Sequence, residues 1–436
     1  MNENSPAAKE NARKTNRLRA LGLRLAALGL SIALALLVCE FGLRAAGYSP
    51  TYINAMGSFH QADDVCGHRG LANLEARFAS TEFDVRVVHN EVGFRRLENP
   101  EPAERDARRV YIFGDSFAWG WGVDQGESYP DQLRLRLRDR NVVGLGVNGV
   151  GTVAEHELFA SECRDRLKPG DVVLLTFCQN DFADNVNGSR HAEVRDGQVV
   201  LMPPNSHLRP NWKRTCQQSS HLFNYLSFVI NRFQLERRLR RDNQVTSVSS
   251  LASAAKAQAA PPQSEVKTRE NVQQVVHVEE TATAPSPIAA ATIAPLPPVA
   301  PPQVAPPPAP TPSGGMADQV IVTRHFLEKW QRECKDRGAR FIVAFIPGMG
   351  ELTESPFASV ESLKSNEAAF RDAFFSCAHS LDIETLDLLP GMLAAKQDPQ
   401  LGLLAFPRDT HWTATGHRVV ADIIAERLNE SSTSVR

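Results

Sequence analysis

Four short runs in this chain are apolar almost without interruption: Val110-Tyr111-Ile112-Phe113, Val142 to Val147, Val172-Val173-Leu174-Leu175-Thr176-Phe177 and Phe341-Ile342-Val343-Ala344-Phe345-Ile346. A strand with one wet face alternates apolar and polar residues. A strand that is apolar throughout is covered on both faces, as in a parallel sheet clad by helices. The intervals carry helical patterns: 128–140 with Leu133 and Leu137 on one face, 153–167 with Leu158, Phe159 and Leu167, then 318–337 and 361–380. A short strand is expected at 383–388, followed by a last helix over 415–429 with Ala421, Ile424 and Leu428 at helical spacing. Five strands alternating with helices predict an α/β fold: a doubly wound, flavodoxin-like parallel sheet of about five strands with right-handed crossovers. Reactive groups in such a sheet belong at the carboxyl ends of the strands.

The remaining segments are set apart by composition. Residues 1–17 are polar and basic, with Lys9, Arg13, Lys14 and Arg17. Residues 18–43 contain an uncharged stretch from Leu25 to Cys39, and with Arg19 and Arg24 able to snorkel they approach the roughly 20 residues of a membrane helix. The excess of positive charge before this segment puts the N-terminus in the cytoplasm, so the expected protein is single-pass in the inner membrane with its folded part on the periplasmic side. A cleaved signal peptide and a buried core helix are the rival readings. Residues 48–109 form a preface in which Phe83-Asp84-Val85-Arg86-Val87 alternates like a half-buried strand. The α/β domain then runs through 110–241 and 316–430, interrupted by a Pro- and Ala-rich segment, 242–315, that lacks the apolar surface to order itself. The apolar run from His221 ends in Arg237-Arg238-Leu239-Arg240-Arg241, either a packed helix with a solvated basic end or a site of attachment to lipid or an acidic glycan.

Chemistry-bearing residues collect at the expected strand ends. The first strand ends in Gly114-Asp115-Ser116, the second in Gly146-Val147-Asn148-Gly149-Val150-Gly151-Thr152, and the third in Gln179-Asn180-Asp181. Just before the last helix stands Asp409-Thr410-His411-Trp412. A serine hydroxyl needs a base to take its proton and a third group to orient that base, and His411 with Asp409 supplies both residue types. His417 is a competing base, but it falls inside the last helix with no acid beside it. Gly144-x-Gly146-x-x-Gly149 matches a dinucleotide fingerprint, yet it follows the second strand and no acid ends a strand at the proper distance. Neither Cys-x-x-Cys nor His-Glu-x-x-His occurs, so no zinc site is expected, and the candidate chemistry calls for no cofactor. A formal charge of -2 offers no field for nucleic acid.

The ordered set resembles the SGNH (GDSL-like) hydrolase superfamily over residues 110–187 and 338–429. The resemblance implies the SGNH hydrolase fold, with Ser116 as nucleophile, His411 as general base and acid, and Asp409 as its orienting carboxylate. It also implies an oxyanion hole built from the backbone N–H groups of Ser116 and Gly149 and the side-chain amide of Asn180. Cys178 stands where the third block usually opens with glycine, and Gly144 where the second has asparagine. One residue separates Asp409 from His411, where two are commoner, and Asp-Thr-His-Trp is similar to the block of alginate O-acetyltransferase-like members.

The expected activity is therefore that of a membrane-anchored serine esterase working through an acyl-serine intermediate on O-acylated carbohydrate or a small acylated molecule, with Trp119 and Trp121 as candidates for stacking on sugar rings. An O-acetyltransferase for an exported glycan, served by a membrane acyl-donor protein, and an inactive glycan-binding scaffold are the alternatives. An exported location permits disulfides, with Cys66–Cys216 and Cys334–Cys377 as conceivable pairs, whereas Cys163 and Cys178 read as buried thiols.

Overall fold

The computed structural model describes residues 6–53, 58–100, 107–206, 208, 212–237, 315–352 and 360–433. Residues 1–234 and 312–436 make up one structural unit. The Pro- and Ala-rich segment expected at 242–315 lies outside the described residues apart from Gly315.

The chain begins with helix α1, Pro6–Ala45. Its part from Asn16 to Ala45 is long and apolar enough to cross a membrane, with a mean hydropathy of 2.2 in its most apolar stretch and none of that stretch buried against the protein. The preface follows as five short strands: β1 (Thr51–Tyr52), β2 (His60–Asp63), β3 (Gly67–Gly70), β4 (Glu75–Ala79) and β5 (Asp84–Val88). Strand β4 pairs with β1 and β5 in one small sheet, and β2 with β3 in a hairpin. The preface buries a core of its own around Phe59, Phe78, Phe83 and Val87, into which Trp119 is inserted.

The main sheet has five parallel strands in the order β12-β11-β8-β6-β7. These are β6 (Arg108–Phe113), β7 (Arg140–Gly144), β8 (Val172–Phe177), β11 (Arg340–Phe345) and β12 (Glu384–Asp387), with β9 (Ala192–Arg195) and β10 (Gln198–Leu201) forming a separate hairpin. Chain order thus reverses beside β6: the first strand of the sheet lies between the second and the third. Ligands of open α/β sheets settle at such a switch, outside the carboxyl ends of the strands. In register, Val110 of β6 faces Val142 on one side and Val172 on the other.

Both faces of the sheet are covered, as the unbroken apolar runs require. One core gathers Phe113, Phe159, Phe177, Trp330, Phe341 and Phe374; the other gathers Ile112, Tyr129, Leu174, Trp412, Val420 and Ile424. Helices α2 (Ser116–Trp119), α3 (Tyr129–Arg136), α4 (Thr152–Glu162) and α5 (Asn180–Asn187) follow the first three strands. After the hairpin come α6 (Trp212–Ser219) and a helix over 221–237, here α7. The second half supplies α8 (Met316–Lys335), α9 (Met349–Leu352), α10 (Val360–Ser380), α11 (Leu389–Lys396) and α12 (Ala414–Thr433).

Three sequence expectations change. The helix expected over 128–140 ends at Arg136, because Arg140 already belongs to β7 and pairs with Arg108. The stretch between Asp181 and His221, for which the sequence predicts no regular element, contains most of α5 and the β9–β10 hairpin, which turns on Asp196 and Gly197 at φ of 50° and 75°. An Asp-Gly pair with two positive φ angles is the turn that matches strand twist. All seven cysteines are free, so neither proposed disulfide exists here; Cys66, Cys334 and Cys377 are buried small side chains, as are Cys163 and Cys178.

Candidate active site

Strand β6 ends at Phe113, and the chain turns through Gly114 into α2. The turn is tight against β8: a Cβ on Gly114 would lie 2.0 Å from Thr176 Oγ1, the hydroxyl that donates to the Phe113 carbonyl at 3.0 Å. Asp115 is buried and caps α2 by accepting the Phe117 N–H at 3.0 Å. Ser116, first residue of that helix, is thereby placed outside the carboxyl end of β6, beside the switch. The loop after β7 runs along α2, where a Cβ on Gly146 would fall 2.5 Å from the Trp119 nitrogen. That loop carries Gly149, exposed and at φ +65°.

His411 reaches Ser116 from the other end of the chain. Its Nε2 lies 2.7 Å from Ser116 Oγ, and its Nδ1 lies 2.6 Å from Asp409 Oδ1. An ionised carboxylate can only accept, so Nδ1 carries the imidazole proton and Nε2 offers the lone pair that accepts the serine hydroxyl. Burial works to raise the Asp409 carboxyl. The hydrogen bonds from His411 and Trp121 and the charge of His411 outweigh it and hold the group below its ordinary value.

The one-residue spacing between acid and histidine is accommodated by the backbone. Thr410 sits at φ +75°, in the left-handed region, and turns the chain so that the side chains on either side of it meet. For a β-branched residue this conformation is rare and costs on the order of 1–3 kcal/mol, so the surroundings must enforce it. They do so from several directions. The Phe406 N–H donates to the His411 carbonyl at 2.8 Å and the Thr410 N–H to the Phe406 carbonyl at 3.1 Å. From the preface, the Glu82 carboxylate accepts the Arg408 N–H at 3.1 Å and the Asp409 N–H at 2.7 Å. Trp121 donates its indole N–H to Asp409 Oδ2 at 3.1 Å and lies stacked on the His411 ring, 5.0 Å between centroids. Trp412, fully buried, anchors the loop against Phe117 at 4.5 Å. A polarised hydroxyl backed by an imidazole and a carboxylate can attack an ester carbonyl.

The model of the GDSL-like Lipase/Acylhydrolase family covers residues 112–419, more than half of the chain. The chain belongs to this family. No curated protein matches it significantly. Among solved structures, it is similar to a lipolytic G-D-S-L protein from Veillonella parvula DSM 2008, at 10% identity over 73% of this chain and 97% of that one, with a TM-score of 0.34. It is also similar to a Corynascus thermopiles (Myceliophthora fergusii) carbohydrate esterase family 2 enzyme, at 11% identity over 78% and 70% with a TM-score of 0.34. An extracellular lipase from Streptomyces rimosus matches at 11% identity over 73% and 99%, TM-score 0.32.

Within this acylhydrolase fold, Asn180 opens α5 immediately past β8, and its Nδ2 donates to Asp115 Oδ2 at 3.3 Å and Asp184 Oδ2 at 3.0 Å. Both amide protons are thus engaged by carboxyl groups, and one must be released before Asn180 can serve an oxyanion. The carboxyl groups around it are buried and held toward their neutral form. Burial raises Asp115 despite the Phe117 N–H and the His411 charge, and burial raises Asp184 to about 6. Asp181 and Glu155 are pushed well up by burial and by their acidic neighbours. Glu155, on α4, has no hydrogen-bond partner at either carboxyl oxygen, and nothing in the sequence marked it out.

The two tryptophans part company. Trp119 is 2% exposed, donates its indole N–H to His89 Nε2 at 3.3 Å and is covered by the Arg95 guanidinium at 5.1 Å, so it has no face left for a sugar. Its expected substrate role is corrected to a packing role in the preface. Trp121 is half-buried against the acid–histidine pair. His417 is fully buried, accepts the Tyr129 N–H at 3.2 Å and stacks on that ring; burial lowers it to about 3, so it stays neutral. Among the described residues no cluster of His, Cys, Asp and Glu could hold a metal ion.

Proposed function

We propose that this acylhydrolase is a membrane-anchored serine esterase of SGNH type that removes acyl groups from O-acylated carbohydrate on the outer side of an inner membrane. One observation carries the chemistry: the unbroken hydrogen-bonded series from Asp409 through His411 to Ser116. In the first half-reaction Ser116 Oγ attacks the ester carbonyl while His411 Nε2 takes its proton. The tetrahedral oxyanion is met by the Ser116 and Gly149 N–H groups and by the Asn180 amide, which turns one of its protons from a carboxyl group to the oxyanion. Collapse expels the sugar oxygen, which leaves protonated by His411, and an acyl-Ser116 remains. Water, deprotonated by the same nitrogen, then releases the acid. Asp409 keeps the imidazole in the tautomer this needs and stabilises the imidazolium between transfers. The carbohydrate part of the reading rests on the sequence resemblance, and the membrane part on the apolar, unburied stretch of α1.

The test is an activated acetyl ester and a fluorophosphonate probe offered to the full chain in detergent. Wild type should turn over the ester and take up the probe, whereas Ser116→Ala should lose both, with kcat reduced by about 10³-fold or more. Equal inertness of the two proteins would leave a binding scaffold as the better reading. The Asp-Thr-His-Trp block favours a second reading, in which a sugar hydroxyl replaces water as acceptor. Acylated oligosaccharide, detected by mass spectrometry when donor and candidate sugars are supplied together, would decide for transfer; free acid alone would decide for hydrolysis.

A further inference from the structure

Helix α7, 221–237, has two unlike faces. Asn224, Ser227, Phe228 and Asn231 are turned toward the body, where Asn224 accepts the Thr51 N–H and the Tyr48 hydroxyl, both at 2.9 Å. The opposite face presents Tyr225, Leu226, Val229, Ile230 and Phe233, each 41–56% exposed. These follow helical spacing, so they form one stripe. An apolar stripe of this kind on a monomer marks a contact surface.

Its position says what covers it. The N-terminus of α7 is fixed to α1 by Glu40, whose carboxylate accepts the His221 and Leu222 N–H groups at 3.0 and 2.9 Å and the Ser220 hydroxyl at 2.8 Å. Arg44, one turn on, pairs with Glu40 and donates to the Ser219 carbonyl at 3.0 Å. From this junction the first turns of α7 lie alongside α1: Ala33, Leu36 and Leu37 share an apolar groove with Leu222, Phe223 and Leu226. Ala33 is seven residues back from Glu40, which places this contact about 10 Å further along α1, into its apolar stretch. Whatever solvates Leu36 and Leu37 therefore also meets Leu226 and its stripe. Charge agrees, since α7 carries Arg232 and Arg237 and the sequence continues Arg238-Leu239-Arg240-Arg241. Helix α7 cannot itself span a bilayer, because Arg232, Glu236 and Arg237 interrupt it.

We propose that α7 is an interfacial helix whose Leu226–Val229–Ile230–Phe233 stripe is embedded in the outer leaflet beside the span, with its basic end at anionic headgroups. The proposal rests on the reading of α1 as a membrane anchor and adds to it a second point of attachment. One contact leaves the catalytic body free to swing about the anchor; two fix which side of it faces the membrane.

Two full-length variants test it, Leu30→Trp in the span and Ile230→Trp in the stripe, each reconstituted into phosphatidylcholine/phosphatidylglycerol vesicles with brominated acyl chains. The added emission, taken as the difference from wild type, should be quenched for both. Quenching at Leu30→Trp but not at Ile230→Trp overturns the proposal and leaves the anchor standing. Quenching at neither overturns both, and quenching at Ile230→Trp alone overturns the reading of α1 as a span and with it the placement of α7 beside one. A blue-shifted, unquenched Ile230→Trp would show the stripe covered by protein, such as a second copy of the chain, and would also overturn the proposal.

Discussion

Ser116 and His411 arrive at the same hydrogen bond by different means. The serine is delivered by regular structure: an apolar strand, a glycine pressed against its neighbour, and a helix capped by the preceding aspartate. The histidine is carried by a loop with one strained residue, held by an indole from just past α2 and a carboxylate from the preface. Local geometry is enough for the serine. The Asp409 that orients the histidine depends on partners 288 and 327 residues away in sequence, so that half of the site should yield to different substitutions.

The largest effect should come from the regular half. In Gly114→Ala the new methyl has no room beside Thr176 Oγ1, which should cost about 3 kcal/mol of stability and most of the activity. Thermal unfolding checks the first, and Thr176→Ala in the same chain should recover part of it. If Gly114→Ala unfolds like wild type, the tight strand contact is not what places Ser116. The base half should respond in rate rather than stability. Glu82→Gln and Trp121→Phe are each expected to lower kcat about 10-fold with KM nearly unchanged, since the first takes the charge from the acceptor of the Arg408 and Asp409 N–H groups and the second removes the indole hydrogen bond to Asp409. Their melting points should stay close to wild type; a fall in stability with unchanged kcat would make both residues ordinary packing. Smallest of all should be Thr410→Gly. Relief of the left-handed backbone is offset by the freer unfolded chain, so stability should change by less than about 1 kcal/mol and kcat by less than about threefold. A large loss in Thr410→Gly would mean that the threonine side chain matters more than the angle.

The fold was legible because fully apolar strands leave few options. Val172–Phe177 matches the expected strand at both ends, and the five-stranded parallel sheet follows from that pattern. The sequence also carried the residues that meet in the site, since Gly114-Asp115-Ser116 and Asp409-Thr410-His411 could each be read as short motifs. What holds the second motif was illegible. Glu82 lies in a stretch with no chemical signature, and Trp121 looked like a substrate platform because an aromatic after a serine turn says nothing about which ring it will face. Glu155 looked like an ordinary polar position on a helix, yet it is buried without a partner. The hairpin at Asp196-Gly197 is legible only in its turn pair, because the strands on either side are short and mixed in polarity.

The preface gives this enzyme a constraint on how it can be rearranged. The family match begins at residue 112, but Glu82, which grips the Asp409 loop, and His89, which receives Trp119, both lie before it. A recombination point just ahead of β6 would transplant every signature residue intact and still sever the hydrogen bonds that hold the Asp409–His411 loop in position. Preface and α/β domain are therefore one part as far as the Asp409 loop is concerned, and an exchange with a relative should place its boundary before β1 rather than after β5.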